Sequence, residues 1–289
     1  MFFKPLVYKF LFKYIYEQWN IAIAEMDDNL IPVNIRWMKH DYKDRWFADP
    51  FFIDETQDVY VILVEEFLRD TKLGRLARLT IDKRDCKLLH NETILEKQTH
   101  LSFPIPITIK GDTFIYPENG ASGETHYYKY GDTLKLIGRL SELPLADPVI
   151  VNIDGCYYLL ATLIDRCNGN ILNIFRSNKP FDNYELIQEI HFHDNIARRA
   201  GNVFEWNGRL ISPAQVCNKH YGEGVSFQEI RIEKGLVVLK EIKRFFPSWK
   251  EYNHAFHTYN ILRNKVVIDG NYIKWPNICK MYKRIRHIS

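Results

Sequence analysis

The sequence predicts an all-β protein, a five-bladed β-propeller preceded by a short N-terminal helix. Short β-rich runs separated by tight turns fill the chain after its first eighteen residues, and almost no helical periodicity appears there. Hairpin turns recur near residues 56, 111, 154, 207 and 264, a spacing close to the roughly 40–50 residues of one four-stranded blade. A β-sandwich could hold these strands, but it does not account for the recurrence.

The composition is that of an ordinary soluble domain, and it excludes several classes of protein. Of the 289 residues, 46% are apolar and 26% are charged, and the aromatic content of 14% favours strands. Five scattered cysteines without paired spacing suit a reducing compartment and offer neither a disulfide framework nor a zinc site. We therefore expect a cytoplasmic protein that uses no metal and no cofactor.

The two ends of the chain are basic, whereas its body is mildly acidic. Residues 274–289 carry a net charge of +5 and residues 1–18 carry +2, which leaves −4 for the remainder. This distribution does not suit nucleic-acid binding, which needs basic residues along a groove. Apolar residues recur at helical spacing in 1–18, so we predict an amphipathic helix packed on the domain. The alternative is an interfacial helix that, with the basic tail 274–289, contacts the inner face of an anionic membrane.

The propeller is predicted to span residues 19–273, and its strands follow one another in hairpins. We predict strands at 19–24, 51–53, 59–64, 76–81, 105–109, 113–116, 125–130, 149–153, 156–163, 171–176, 202–206, 209–212, 225–232, 236–240, 260–262 and 265–268. Turn dipeptides such as Asp154-Gly155 and Asn207-Gly208 separate the members of a hairpin. No low-complexity linker divides the chain, so a single domain is expected.

Two Ala-Asp-Pro triplets, at 48–50 and 146–148, stand at the entrance of apolar strands about two blades apart. An acid directly before a proline can be a turn former whose carboxylate caps neighbouring amides, or it can serve chemistry. Because a repeat places equivalent residues at equivalent points of a ring, we expect both acids near the axis, where propellers bind ligands.

Polar residues cluster around the start of each predicted inner strand. Three acids from different blades could act in glycosyl transfer, which needs one carboxyl as proton donor and another as base or nucleophile. We predict these acids, Asp49, Glu118 and Asp147, as catalytic residues. The predicted substrate-binding residues are Glu65, His100, Ser102, Arg198, Gln215, Tyr221 and His257. Arg198 could hold an acid ionised or bind an anionic group, and Trp46, Phe103 and Tyr221 could stack on sugar rings.

Several of these residues have purely structural alternatives. Glu65 and Glu66 could be charges that protect an edge strand. His254 and His257 could belong to a hydrogen-bonded loop. Arg198 could form a surface pair with its neighbour, although the flanking alanines and glycine suggest a tight, buried turn.

A set of motifs between about residues 19 and 270 resembles a known family. They read ADPFF, VEE, GRLARL, HLSFP, YPENGASGE, ADPVIVNIDGCYYLLAT, ARRAGNVFEWNGRLISPAQVCNKHYGEGVSFQEI, HTYN and VVIDG. Together they resemble the domain N-terminal to the glycosyltransferase domain of plant glucosamine inositolphosphorylceramide transferases, a domain with stand-alone bacterial relatives. That family is similar to the five-bladed arabinanase, β-xylosidase and invertase glycosidases, whose first blade presents a catalytic Asp before a proline. The resemblance implies that Asp49 is a base or nucleophile and that Asp147 tunes or positions it, with Glu118 the expected proton donor.

Two functions follow from the sequence. The first is an enzyme, a glycosyltransferase or glycoside hydrolase-like protein that forms or cleaves a glycosidic bond in surface polysaccharide or glycolipid biosynthesis. The second is a non-catalytic module that binds a glycan or a nucleotide- or lipid-linked sugar for a partner glycosyltransferase. Convergence of the three carboxyls around an open pocket would favour catalysis, whereas a filled axis would favour binding.

Overall fold

The computed structural model describes residues 17–273, which form five four-stranded antiparallel sheets arranged as the blades of a propeller. The twenty strands are β1 Glu17–Met26, β2 Pro32–Trp37, β3 Arg45–Glu55, β4 Val59–Leu68, β5 Leu73–Asp82, β6 Leu88–Leu95, β7 Pro106–Ile109, β8 Asp112–Ile115, β9 Thr125–Lys129, β10 Lys135–Ser141, β11 Leu145–Ile153, β12 Cys156–Leu163, β13 Ile171–Ser177, β14 Glu185–His191, β15 Phe204–Trp206, β16 Arg209–Val216, β17 Gly224–Glu233, β18 Leu236–Phe245, β19 Tyr259–Leu262 and β20 Lys265–Ile273. Two short 3₁₀ turns lie at Gly120–Ser122 and Ile164–Arg166. The predicted five-bladed propeller is confirmed.

The closing blade joins the two ends of the described chain. Its strand order is β19-β20-β1-β2, and the other blades are β3–β6, β7–β10, β11–β14 and β15–β18, counted here as the first to the fourth. The β1–β20 pair runs in continuous register from Glu17↔Ile273 to Glu25↔Lys265. These hydrogen bonds join the first described strand to the last one and so close the ring of blades.

The repeated hairpins predicted from the sequence are the inner hairpins of the five blades. In each blade the first strand lies nearest the axis, and a tight turn leads to the second strand. Asp154-Gly155 and Asn207-Gly208 have positive φ at both positions, as type I′ turns require. These turns occupy one face of the ring. The connections between blades, at 38–44, 96–105, 142–144, 192–203 and 246–258, occupy the opposite face, which we call the connection face.

The Ala-Asp-Pro triplets mark β-bulges at the entrance of inner strands. Asp49 and Asp147 have φ of 48° and 42°, and the pairing register shifts immediately after Ala48 and Ala146. Phe103 has φ of 48° at the same point of the second blade, and Gly201 has φ of 149° in the fourth blade. Aspartate tolerates the left-handed region better than most residues. The bulge is therefore a feature of the repeat, as the equivalence of the two triplets predicted.

Apolar side chains from neighbouring blades interlock around the ring. The largest cluster joins Phe51, Phe103 and Val149, one residue near the start of each of the first three blades. Phe51 and Phe103 meet edge to face, with ring centroids 4.9 Å apart. A second cluster packs Phe227 and Phe256 between the fourth and closing blades. This packing holds the inner strands in place at the ends where the candidate site residues lie.

Two sets of elements differ from the sequence analysis. Four strands were not predicted, β2, β6, β10 and β14. Each is the outermost strand of its blade, where partial exposure weakens the apolar alternation. Glu17 and Gln18, assigned to the end of the N-terminal helix, instead belong to β1. The rest of that predicted helix and the basic tail 274–289 lie outside the described residues. Within 17–273, no helix has the length and hydropathy needed to span a membrane.

We predict that Gly201→Ala destabilises the fold strongly. A Cβ at Gly201 would lie 2.3 Å from the carbonyl oxygen of Tyr259, in addition to the unfavourable φ. We expect the free energy of unfolding to fall by more than about 2 kcal/mol in urea denaturation. Gly155→Ala is the control, because nothing lies within 4 Å of its added Cβ, and only about 1 kcal/mol should be lost. Equal losses would contradict the prediction.

Candidate functional site

All ten predicted site residues lie on the connection face of the propeller or on the strand ends that reach it. Asp49 and Asp147 stand at the entrances of β3 and β11, while Glu65 and Gln215 lie near the ends of second strands. The others come from loops and inter-blade connections, namely His100, Ser102, Glu118, Arg198, Tyr221 and His257. Residues scattered over two hundred positions thus meet at one end of the axis.

One cluster links the first and closing blades through Asp49. Its carboxylate accepts hydrogen bonds from the Thr258 hydroxyl (2.8 Å) and from the backbone N–H of Phe103 (3.0 Å). Its own N–H donates to Oδ2 of Asp269 at 3.2 Å. Asp269 also accepts the N–H groups of His257 and Thr258, at 3.0 and 3.1 Å, and contacts Nδ1 of His257 at 2.6 Å. The four backbone N–H groups and the Thr258 hydroxyl named here therefore all donate to carboxylates.

The ionisation of this cluster reflects its burial. Burial raises the pKa of Asp49 to about 7; nearby His257 opposes the increase, and the charge of Glu65 adds to it. For His257, burial alone would lower the pKa, but the Asp269 carboxylate outweighs that effect and raises the pKa to about 9. The cluster consequently holds a charged histidine between acids at neutral pH.

A second cluster links the second, third and fourth blades through Arg198. Its guanidinium contacts Oδ2 of Asp147 at 2.5 Å and Oε2 of Glu118 at 3.0 Å. Gln215 donates to the same Asp147 oxygen at 2.6 Å, and the N–H of Asp147 donates to Glu118 at 3.1 Å. Burial raises the pKa of Asp147 to about 7; Arg198 opposes the increase, and Glu118 adds to it. Oε2 of Glu118 thus already accepts two N–H donors, an arrangement suited to a carboxylate acceptor.

The remaining predicted residues form the rim of the site. The Nδ1 of His100 accepts the Gly74 N–H at 2.9 Å, so its proton lies on Nε2, 3.2 Å from Oε1 of Glu65. Tyr221 covers Arg198, with the guanidinium carbon 5.1 Å from the ring centroid. Tyr221 and the His100 side chain are 39% and 40% exposed, so both present a ring face or edge to solvent.

Two predictions about individual side chains need correction. Phe103 is fully buried in the core, so it cannot stack on a sugar. The edge-strand alternative for Glu65 and Glu66 is wrong, because β4 is an interior strand and Glu66 is buried between Arg45 (2.7 Å) and Arg75 (2.6 Å). Trp46 is half-buried and stacks on Phe67, with centroids 4.4 Å apart, and its stacking on a sugar stays a prediction.

Other residues have positions that explain their sequence context. Ser102 is buried, and its main chain forms a bridge with Glu118. His254 stacks on His220, with centroids 4.6 Å apart, whereas His257 turns inward to the axis. The predicted tight, buried turn at Arg198-Arg199 is confirmed, since Arg199 is fully buried and donates to backbone carbonyls, Ser212 and Gln228. Ser102 and Gln215 lie beneath the surface that a large ligand could reach.

Sequence reasoning missed Asp269. Asp269 interrupts the apolar run Val266-Val267-Ile268 in β20, and a fully buried acid inside such a run is a detectable signal. Thr258 belongs to the polar residues that the sequence places before the inner strand of the closing blade, and its hydroxyl donates to Asp49.

The same cluster could be considered as a cation site, because oxygen and nitrogen atoms of Asp49, His257 and Asp269 lie within 4.8 Å of one another. The fit is poor. Backbone N–H groups point at both Asp269 oxygens, and the charged imidazole occupies the space between the acids. The residues of this cluster therefore do not fit a metal ion.

We predict that His257 makes the fold less stable at alkaline pH. Its pKa is higher in the folded protein, so its contribution is complete below about pH 6.5 and is lost as the pH rises through about 9. Urea denaturation at pH 6.5 and 9 should differ by an amount on the order of 3 kcal/mol. His257→Gln should remove most of this difference, and replacement of exposed His90 by Gln should preserve it. A pH dependence unchanged in His257→Gln would disprove this assignment.

Comparisons with known proteins agree with the fold and identify the family. The sequence profile described as glucosamine inositolphosphorylceramide transferase 1, N-terminal, matches residues 30–265. Glucosamine inositolphosphorylceramide transferase 1 of Arabidopsis thaliana is 26% identical over 149 residues, which cover 48% of this chain but only 19% of the relative. The chain therefore matches about a fifth of that protein.

Solved structures share the architecture at low sequence identity. A thermostable family-43 glycoside hydrolase has a TM-score of 0.57 at 12% identity, covering 80% of this chain and 88% of its own. An exo-1,5-α-L-arabinanase from a bovine ruminal metagenomic library has a TM-score of 0.55 at 11% identity, covering 78% and 93%. At these identities the likeness concerns the fold, whereas the profile match extends over most of the chain. The chain belongs to the family of N-terminal domains of glucosamine inositolphosphorylceramide transferase 1.

Proposed function

We propose that the connection face binds a sugar unit of a glycan or glycolipid at the propeller axis, and that binding is its main role. The observation that carries this proposal is a rim of exposed rings above a floor of buried, hydrogen-bonded carboxylates. Tyr221 and His100 form the rim, and Asp49, Asp147 and Glu118 form the floor. Aromatic faces suit the C–H surfaces of sugars, and carboxylates suit their hydroxyl groups.

The charge of the site favours a neutral or cationic sugar. Five acids lie in the two clusters and the rim, namely Asp49, Glu65, Glu118, Asp147 and Asp269. Arg198 and His257 provide the opposing charges. A nucleotide diphosphate would approach mainly carboxylates, so the ligand is better described as a glycan or lipid-linked sugar than as a nucleotide-linked donor.

A second function, glycosidic bond chemistry, is favoured by one observation. Burial raises the pKa of both Asp49 and Asp147 to about 7, and acids with such values can exchange protons near neutral pH. Against this role, both Asp49 oxygens accept internal hydrogen bonds, and the predicted proton donor Glu118 accepts two. Catalysis would require Asp49 and Glu118 to exchange these hydrogen bonds for contacts with a substrate. For this reason we propose binding as the main role and catalysis as the alternative.

The family relationship fits a module that serves a partner enzyme. The matched plant relative is named as a glucosamine inositolphosphorylceramide transferase, and four fifths of its length lie outside the match. We place the group-transfer chemistry outside this chain and assign the propeller to recognition of the carbohydrate or glycolipid.

Replacement of Tyr221 should weaken sugar binding. We expect Tyr221→Ala to reduce the affinity for a bound glycan at least tenfold, because it removes the exposed ring above Arg198. A glycan array identifies the ligand, and isothermal titration calorimetry measures both proteins. Tyr272→Ala is the control, since Tyr272 is similarly exposed (43%) but lies away from the axis. Equal affinities of wild type and Tyr221→Ala would reject this site.

A test of turnover separates the two functions. We expect the purified protein to bind sugars without releasing product, as followed by chromatography of labelled glycans and furanosides. The Asp49→Asn variant should fold normally, because asparagine also tolerates positive φ. Product formed by wild type and absent with Asp49→Asn would overturn the binding role and establish glycosidic bond chemistry.

A further inference from the structure

We propose that a second site, separate from the axis, binds the phosphate headgroups of an anionic lipid surface. The site is a groove of about 1020 Å³ at the seam between the closing blade and the first blade. Four lysines line it: Lys39, Lys43, Lys87 and Lys250. We call it the lysine groove.

The lysines carry charge that the described chain does not neutralise. All four are exposed, and within residues 17–273 none of them forms an ion pair with a carboxylate. Two acids, Asp41 and Glu251, also line the groove, so its formal charge remains positive. Lysines gathered in one concave surface repel one another until an anion neutralises them.

Two of the lysines are held side by side by the backbone. Lys39 donates its N–H to the Cys86 carbonyl at 2.9 Å, and Leu88 donates to the Lys39 carbonyl at 3.0 Å. These bonds form a parallel bridge between Lys39 and Lys87, which joins the edges of the two blades. The spacing of the two stems is therefore set before a ligand arrives, which lowers the entropic cost of binding.

Exposed apolar residues accompany these charges. Leu89 and Tyr272 line the groove and are 55% and 43% exposed. Basic residues beside exposed leucine and tyrosine are typical of surfaces that lie in the headgroup region of a membrane. This combination favours a lipid surface over nucleic acid.

The ends of the described chain lie at this groove. Glu17 pairs with Ile273, and their neighbours Gln18 and Tyr272 line the groove. The described part of the chain therefore begins and ends beside the groove, and residues 1–16 and 274–289 precede and follow it in the sequence. Their sequences contain three and five lysines and arginines, respectively, and no acidic residue. Basic segments next to a basic groove add to the attraction of an anionic leaflet.

The test measures the binding of the full chain to vesicles. Sedimentation with phosphatidylcholine vesicles that contain about a third phosphatidylserine should capture the protein, and pure phosphatidylcholine vesicles should not. Binding should weaken as salt increases, since counterions screen the lysines. We expect Lys39→Glu combined with Lys87→Glu to reduce the vesicle partition coefficient at least tenfold. Lys43→Glu with Lys250→Glu provides an independent pair if the first variant fails to fold.

Matched charge reversals provide the control. Lys135→Glu with Lys240→Glu makes the same change in net charge at exposed positions of two other blades, and its binding should stay within twofold of wild type. Equal partition of wild type and both groove variants would overturn the proposal. A second result would also overturn it: the protein binds inorganic phosphate or an RNA oligonucleotide but not the anionic vesicles, and the groove variants abolish that binding. Sugar binding at the axis is measured separately with Tyr221→Ala, so either proposal can be rejected without deciding the other.

Discussion

The axis of this propeller depends on satisfying the backbone amides exposed by the bulges at the inner-strand entrances. A bulged residue leaves the regular ladder, and its buried N–H must find another acceptor. In three of the five blades the acceptor comes from the preceding blade around the ring: Asp269 accepts from Asp49, Asp49 accepts from Phe103, and Glu118 accepts from Asp147. The acids that first suggest chemistry are thus hydrogen-bonded links between blades.

This constraint also decides the electrostatics of the site. The carboxylates that accept hydrogen bonds from backbone amides are buried together, and this burial raises the pKa of Asp49 and Asp147. His257 and Arg198 provide the compensating positive charges. A structural role and raised pKa values therefore have one origin. For this reason a raised pKa is weaker evidence for catalysis here than it would be for an acid without hydrogen-bonded partners.

The sequence was informative where local chemistry determines the structure. Turns such as Asp154-Gly155 need positive φ, so their recurrence predicted the number of blades and the axial position of the triplets. Outer strands such as β6 and β14 could not be found, because their faces are partly exposed and carry no clean alternation. Nor could the sequence distinguish exposed Tyr221 from buried Phe103, since that difference arises from packing between blades.

Strand β1 lies between the axial cluster and the lysine groove. Trp19 stacks on His257, with centroids 4.2 Å apart, whereas the adjacent residues Gln18 and Asn20 line the lysine groove. Alternation along a strand sends neighbouring side chains to opposite sides, so one strand separates the axial site from the groove. A headgroup held in the groove would therefore lie across β1 from the proposed sugar-binding rim. This arrangement is the one that the two proposals together require for a sugar attached to a lipid of the same membrane surface.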